Sequence, residues 1–392
     1  MNIRNLNDLV SWMNDTGQFT ELANSNVTQF GATGDRLLGA SILPEQQETE
    51  NYFSDSGMDI EGEIGNSGAD YSPAQINKAF NEFSFDYRLG KLDAATQLHG
   101  KDIETIIQYL SKSRPSNAPV ETSASILTKW FDRGVSSSLA KVIEHQRWQC
   151  IIDGVVKRRG ANGYAENVPY PFPSSFQTNV AASGTLAAPT GWYDTNPATA
   201  ADALEDLLGA KQRLNDQGFT LNRIISRSQP KSVFMRNGKV RRNALPDGAT
   251  RSTTQADIDA LLRSHDLPPW ETYNGVFKYR DPANGKILKT VAYLDRELFD
   301  PIILLASTTL EAQVDLGRDN IVTLPNTLGY FALGRPEGQT QLGKVAKVVL
   351  HDEKYPPSIY AEIVAKGLPI IDARVLAFGC PISILKVPKP TA

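Results

Sequence analysis

Cysteine and histidine are scarce in this chain, with two and four among 392 residues. Cys150 and Cys380 form no CxxC pair, so a disulfide framework is not indicated and synthesis in the cytosol is the expectation. None of His99, His145, His265 and His351 sits in HExxH or at the i, i+4 spacing that puts two metal ligands on one helical face. GxxxxGK(S/T) and GxSxG are missing, and Gly334-Arg335-Pro336-Glu337-Gly338 lacks the glycine spacing of a dinucleotide loop. His145 follows Glu144 and precedes Cys150 by five positions. That makes a nucleophile pair conceivable, but a structural role is the simpler reading, because catalytic Cys and His normally meet through the fold. No catalytic, cofactor or metal site is therefore expected.

Strong charge is lacking too. Forty-four acids against 40 bases give a net charge of −4, too mild for a dedicated nucleic-acid or membrane binder. No long apolar run exists, and the longest uncharged stretch, residues 167–193, is broken by Pro169, Pro171, Pro173 and Pro189. It cannot span a bilayer. Met1-Asn2-Ile3-Arg4 leads to Asp8 and Asp15 without the apolar core of a signal peptide. Apolar residues at 41% and charged residues at 21% are near globular averages, which excludes global disorder. The length suggests two or three subdomains.

What is present is a distinctive order of parts. Residues 5–30 carry Leu6, Leu9, Val10 and Met13 among polar residues, a short helix on an arm without a core of its own. Residues 37–44 read as a strand stopped by Pro44. Eight acids follow: Glu45, Glu48, Glu50, Asp55, Asp59, Glu61, Glu63 and Asp70, with no Lys or Arg between Arg36 and Lys78. Such a run is ordinarily a solvated loop. Phe83, Phe85 and Tyr87 then alternate with polar residues as a strand does, so the region reads as a long hairpin ending near Leu92. A lone hairpin is marginal in water, so its order needs another surface, and its charge points to a basic one.

Residues 123–156 place Leu127, Phe131, Val135, Leu139 and Val142 at helical spacing. This predicts a helix on the order of 50 Å long, locally weakened at Gly134 and Gly154 and closed by Lys157-Arg158-Arg159-Gly160. Further on, a helix over residues 199–217 with Thr199 as N-cap, a strand over 221–225, and helices over 228–237 and 253–265 support an α/β subdomain of roughly 150 residues. The tail is strand-like at residues 345–350, 373–378 and 382–387. Two basic clusters, Lys157/Arg158/Arg159 and Arg236/Lys239/Arg241/Arg242, are most simply solvated helix-end and turn residues. Lacking interleaved aromatics, they could offer DNA or an acidic partner only non-specific contact.

Leu261-Leu262-Arg263-Ser264-His265-Asp266-Leu267-Pro268-Pro269, then residues 273–279 with Tyr273 and Tyr279, Gly285-Lys286, the segment 302–307 and the phrase Gly367-Leu368-Pro369-Ile370-Ile371 carry a resemblance. With them, the chain resembles the major capsid proteins of tailed bacteriophages, in the lambda capsid protein E-like branch. Trp270 and Asn274 depart from that pattern. The resemblance implies an α+β fold of the Hong Kong 97 type. Its parts would be an N-terminal arm (1–36), an E-loop hairpin with flanking strands (37–95), a P-domain with spine helix 123–156 (96–185), an A-domain (186–340) and returning P-domain strands (341–392).

The resemblance further implies a structural subunit, not an enzyme. Pentamers and hexamers of it would form an icosahedral virion shell around double-stranded DNA, assembled in the host cytoplasm. The expected partners are other copies, a separate scaffolding protein, a portal, a decoration or cement protein and non-specifically held DNA, with no membrane. The acidic hairpin is expected to reach a neighbour, with Arg133, Lys141 and Arg147 on the spine as candidate acceptors. Lys78 or Lys91 flanks the region where some relatives form an isopeptide crosslink, although no acceptor can be named. The alternatives are an encapsulin-like cargo shell of the same fold and a soluble α/β hydrolase using Glu144/His145.

Overall fold

The computed structural model describes residues 6–24, 29–30, 35–59, 81–99, 103–104, 108, 118–159, 165–181, 190–245, 251–280, 287–308, 313–315, 321–323, 328–351, 358–372, 376 and 379–390. The chain divides into two compact units. The first comprises Met1–Phe53, Asp86–Arg147 and Tyr330–Ile370, and the second Ser54–Phe85, Trp148–Gly329 and Ile371–Ala392.

The first unit is organised on its longest strand, Ser358–Ile371. Ile359, Ala361, Ile363 and Ala365 alternate into the core, the period-two burial expected of a strand with one covered face. Val345–His351 and Gly90–His99 pair antiparallel along its two edges. Gly329–Gly334 extends the sheet, and Glu45–Gln47 pairs parallel to it. Gly367 is required at its position, because a Cβ there would lie 2.6 Å from the Phe331 ring.

The spine helix runs from Ala118 to Asp153 with a π-helical turn at Asp132–Ser136. Its buried residues Leu127, Phe131, Val135, Leu139 and Ile143 recur every four positions. Four residues of α-helix overshoot a full turn by about 40°, so such a stripe drifts round the helix. The wider π turn takes part of that drift back and keeps the stripe on the sheet. The helix ends before the expected residue 156. Gly154 adopts φ +64°, and Val155–Arg159 continues as a strand paired with Ala165–Pro169.

Two further expectations are corrected in this unit. Residues 37–44 are not a strand: Gly39–Ile42 forms one helical turn, held where the Gly39 N–H donates to Glu144 Oε1 at 2.8 Å. The arm does not lack a core. Its helices Leu6–Asp15 and Gln18–Asn24 bury Leu9, Val10, Met13, Phe19 and Ala23, and the Phe19 ring sits 4.9 Å from Phe131.

In the second unit a five-stranded sheet runs in the order Trp270–Thr272, Phe219–Ser226, Phe299–Thr308, Ile382–Pro388, Gln177–Asn179. Helices Ala203–Asn215, Ser228–Arg236, Gly238–Ala244 and Gln255–Ser264 supply Leu207, Phe234, Val240 and Ile258 to a core shared with Trp192, Ile302 and Leu304. The Gln255–Ser264 helix starts as read, with Thr254 and Asp257 in a reciprocal capping box. The Ala203–Asn215 helix starts later than expected. Asp202 is its cap, while the Thr199 hydroxyl donates to Asp194 at 2.6 Å.

The last strand pairs antiparallel with Phe299–Thr308 in this sheet. The expected strand at 373–378 lies outside the described residues except for Leu376, which is helical. Val276–Arg280 and Ile287–Ala292 form an antiparallel strand pair after the double proline.

Candidate assembly elements

Of the eight acids, Glu45 is built into the first unit. Its carboxylate lies 2.7 Å from Lys344 Nζ and 3.5 Å from the Arg147 guanidinium. Arg147 is 1% exposed and also faces Glu144 at 3.5 Å, with Phe331 beneath its guanidinium. Two acids and two bases thus share one buried cluster, which burial makes tolerable only because the charges pair. Arg147 is therefore not presented to a neighbour, and Glu45 answers it within its own chain.

Glu48 and Glu50 lie just beyond that cluster, with Glu50 exposed and Glu48 accepting from the Gln46 amide at 3.4 Å. Asp55 and Asp59 fall on the strand Tyr52–Asp59, which pairs with Asn81–Arg88 as a two-stranded sheet. Glu61, Glu63, Asp70 and Lys78 lie outside the described residues. On the spine, Arg133 is exposed and Lys141 half-buried. Arg133 borders an open groove of about 410 Å³ together with Lys129, Trp130 and Thr96.

The basic clusters divide in a way the sequence did not indicate. Lys157 is exposed, but its neighbour Arg158 is buried and bonded to Glu166 across the strand pair at 3.0 Å. Arg159 is on the same strand. Arg236 and Arg242 are exposed. Lys239 approaches Asp202 at 4.0 Å, and Arg241 donates to the Arg251 carbonyl at 3.4 Å.

Cys150 and Glu144, weighed for the catalytic alternative, are buried, and so is Cys380. Burial pushes the Cys150 thiol far above its ordinary value, against a Tyr170 hydrogen bond, and pushes Cys380 up to about 11. Neither is a thiolate at neutral pH. Glu144 is fully buried and committed to Gly39 and Arg147. Among the described residues no cluster of His, Cys, Asp and Glu could hold a metal ion, and no helix is long and apolar enough to cross a membrane.

No protein-family model matches the sequence, and no curated protein does. Solved structures do match. The crystal structure of a prophage protein of E. coli CFT073, described as a capsid protein, aligns with a TM-score of 0.54 at 11% identity, over 95% of this chain and 98% of that one. The capsid of Myoviridae phage XM1 aligns at 0.43 and 11% identity over 93% and 95% of the two chains. The SrpI encapsulin of Synechococcus elongatus PCC 7942 aligns at 0.37 and 10% identity over 95% and 96%. The match to the E. coli prophage structure gives the chain a phage capsid-type fold, the mixed α and β architecture of the Hong Kong 97 kind.

Proposed function

We propose that the chain is the major capsid protein of a tailed phage, self-assembling as pentamers and hexamers into an icosahedral shell around double-stranded DNA. The observation that carries this reading is the end-to-end agreement of fold with the prophage capsid structure, over 95% of this chain. Its role is structural, and its partners are other copies of itself, a scaffolding protein, a portal, a decoration protein and packaged DNA. It would act in the virion after assembly in the host cytoplasm.

In this reading the first unit corresponds to the P-domain with the base of the E-loop, and the second to the A-domain. Arg133 and Lys141 remain as acceptors for the acidic hairpin of a neighbour. Glu48, Glu50, Asp55, Asp59, Glu61, Glu63 and Asp70 are its acidic side. Many modest contacts of this kind sum by avidity, and a rotation that closes gives rings. Of the two basic clusters, Lys157, Arg236 and Arg242 are exposed among the described residues and are offered to DNA or an acidic partner.

Expression of the full chain with and without phage partners, followed by negative-stain microscopy, tests the proposal. Closed particles that take up DNA in the presence of those partners are expected. Particles that instead enclose a specific protein would favour the cargo-shell alternative, and only small discrete oligomers would refute both.

A further inference from the structure

The outer edge of the Val345–His351 strand is closed by side chains of the arm. Asn14 bonds both backbone groups of Val348: its Nδ2 donates to the carbonyl at 2.7 Å and its Oδ1 accepts the N–H at 3.3 Å. Asn24 repeats this at Lys344, at 2.7 and 3.0 Å. Between them, Thr20 Oγ1 accepts the Ala346 N–H at 3.4 Å.

Residues 344, 346 and 348 are alternate positions. They form the row that faces away from Ser358–Ile371 and that an added strand would use. A side-chain amide can present one N–H and its carbonyl oxygen side by side, the pairing that one residue of a neighbouring strand would offer. Packing alone does not call for this arrangement, because Leu9, Met13 and Phe19 already anchor the arm in the core.

We propose that the arm is a removable cap on this edge, and that the uncapped edge pairs antiparallel with the same edge of a second copy. The segment Val345-Ala346-Lys347-Val348-Val349-Leu350 is rich in β-branched residues and carries one charge, the type of edge that needs protection. It is also self-complementary. A two-fold axis at Ala346 sets Lys344 opposite Val348 and Lys347 opposite Val345, so no like charges face each other, and the contact is isologous. The inference goes beyond the shell role and does not rest on it.

The test uses the full chain, with sedimentation velocity and amide hydrogen exchange as readouts. Uncapping must also draw Leu9, Met13 and Phe19 out of the core, so Asn14→Ala with Asn24→Ala lowers the cost of release without removing the anchors, and exchange at Lys344 and Val348 should rise about tenfold or more. A dimer should appear at a concentration where the unaltered protein is monomeric. Adding Ala346→Pro removes an outward N–H while sparing the inner ladder, and should abolish that dimer. The single variant Asn14→Ala should give an intermediate dimer fraction, which keeps the test open if the double variant unfolds. Unchanged exchange, a variant that stays monomeric, or a dimer that survives the proline would each overturn the proposal. A closed shell sediments far faster than a dimer, so failure to assemble shells and failure to cap the edge are read separately.

Discussion

The Arg147 guanidinium lies 3.5 Å from the Glu45 carboxylate of the same chain and 5.3 Å from the centre of the Phe331 ring. The pair ties the spine helix to the strand Glu45–Gln47, and Lys344 joins it from a third segment at 2.7 Å. One carboxylate therefore fixes the start of the acidic stretch to the first unit's core.

Removing that carboxylate leaves Arg147 with one acid and Lys344 with none of its cluster partners. Glu45→Ala is expected to destabilise the folded subunit by about 3 kcal/mol, the usual cost of breaking a buried charge pair. Urea denaturation checks it. A loss below about 0.5 kcal/mol would mean that the cluster is effectively solvated.

Glu61→Lys with Glu63→Lys reverses two charges of the acidic stretch that, under the proposed function, reaches a neighbour. A soluble, folded subunit with reduced shell formation is expected. Normal particle yield on a sedimentation gradient would count against the hairpin's acids as an assembly contact.

Gly154 stops the spine helix at φ +64°, and a Cβ there would lie 3.2 Å from both Phe172 and Phe176. Gly154→Ala combines left-handed strain with crowding, so a loss of roughly 1–3 kcal/mol in thermal or urea unfolding is expected. An unchanged midpoint would show that the two phenyl rings move aside and the backbone relaxes.

Asp300 is fully buried, accepting from Arg227 at 3.3 Å, while Arg227 and Lys389 also pair with Asp295 at 2.9 and 2.6 Å. Burial raises its pKa above the ordinary 3.8, with Lys389 and Arg227 opposing and Asp295 adding. The folded chain thus holds this proton more tightly than the unfolded one. Its contribution to stability is greatest in acid and falls as pH rises through the raised value. Asp300→Asn removes that fall. The variant's melting temperature relative to the unaltered protein should increase from about pH 4 to about pH 7, and a pH-independent difference would contradict the assignment.

Much of the scaffold was legible because local signals there agree with the final packing. The stripe from Leu127 to Leu139 marked the spine helix, and the helix read over residues 253–265 matches Gln255–Ser264 to within two residues. The strand Ser358–Ile371 was not read as a strand, and its Gly367–Ile371 end entered only with the resemblance, although Ile359, Ala361, Ile363 and Ala365 alternate clearly. Short alternations of this kind occur in many loops, and Gly367 and Pro369 ordinarily punctuate strands.

Composition and periodicity by themselves determined that this is a mixed α and β chain, without the motifs of common catalytic sites, carrying an acidic stretch and one unusually long helix. Tertiary structure alone decided which charges are spent internally. Glu45 and Arg147 look like surface residues until the fold brings them together, because ion pairing depends on distances of a few ångströms between segments far apart in sequence. The arm's role was hidden for the same reason. Asn14, Thr20 and Asn24 are ordinary polar helix residues until the backbone of residues 344–348 arrives beside them.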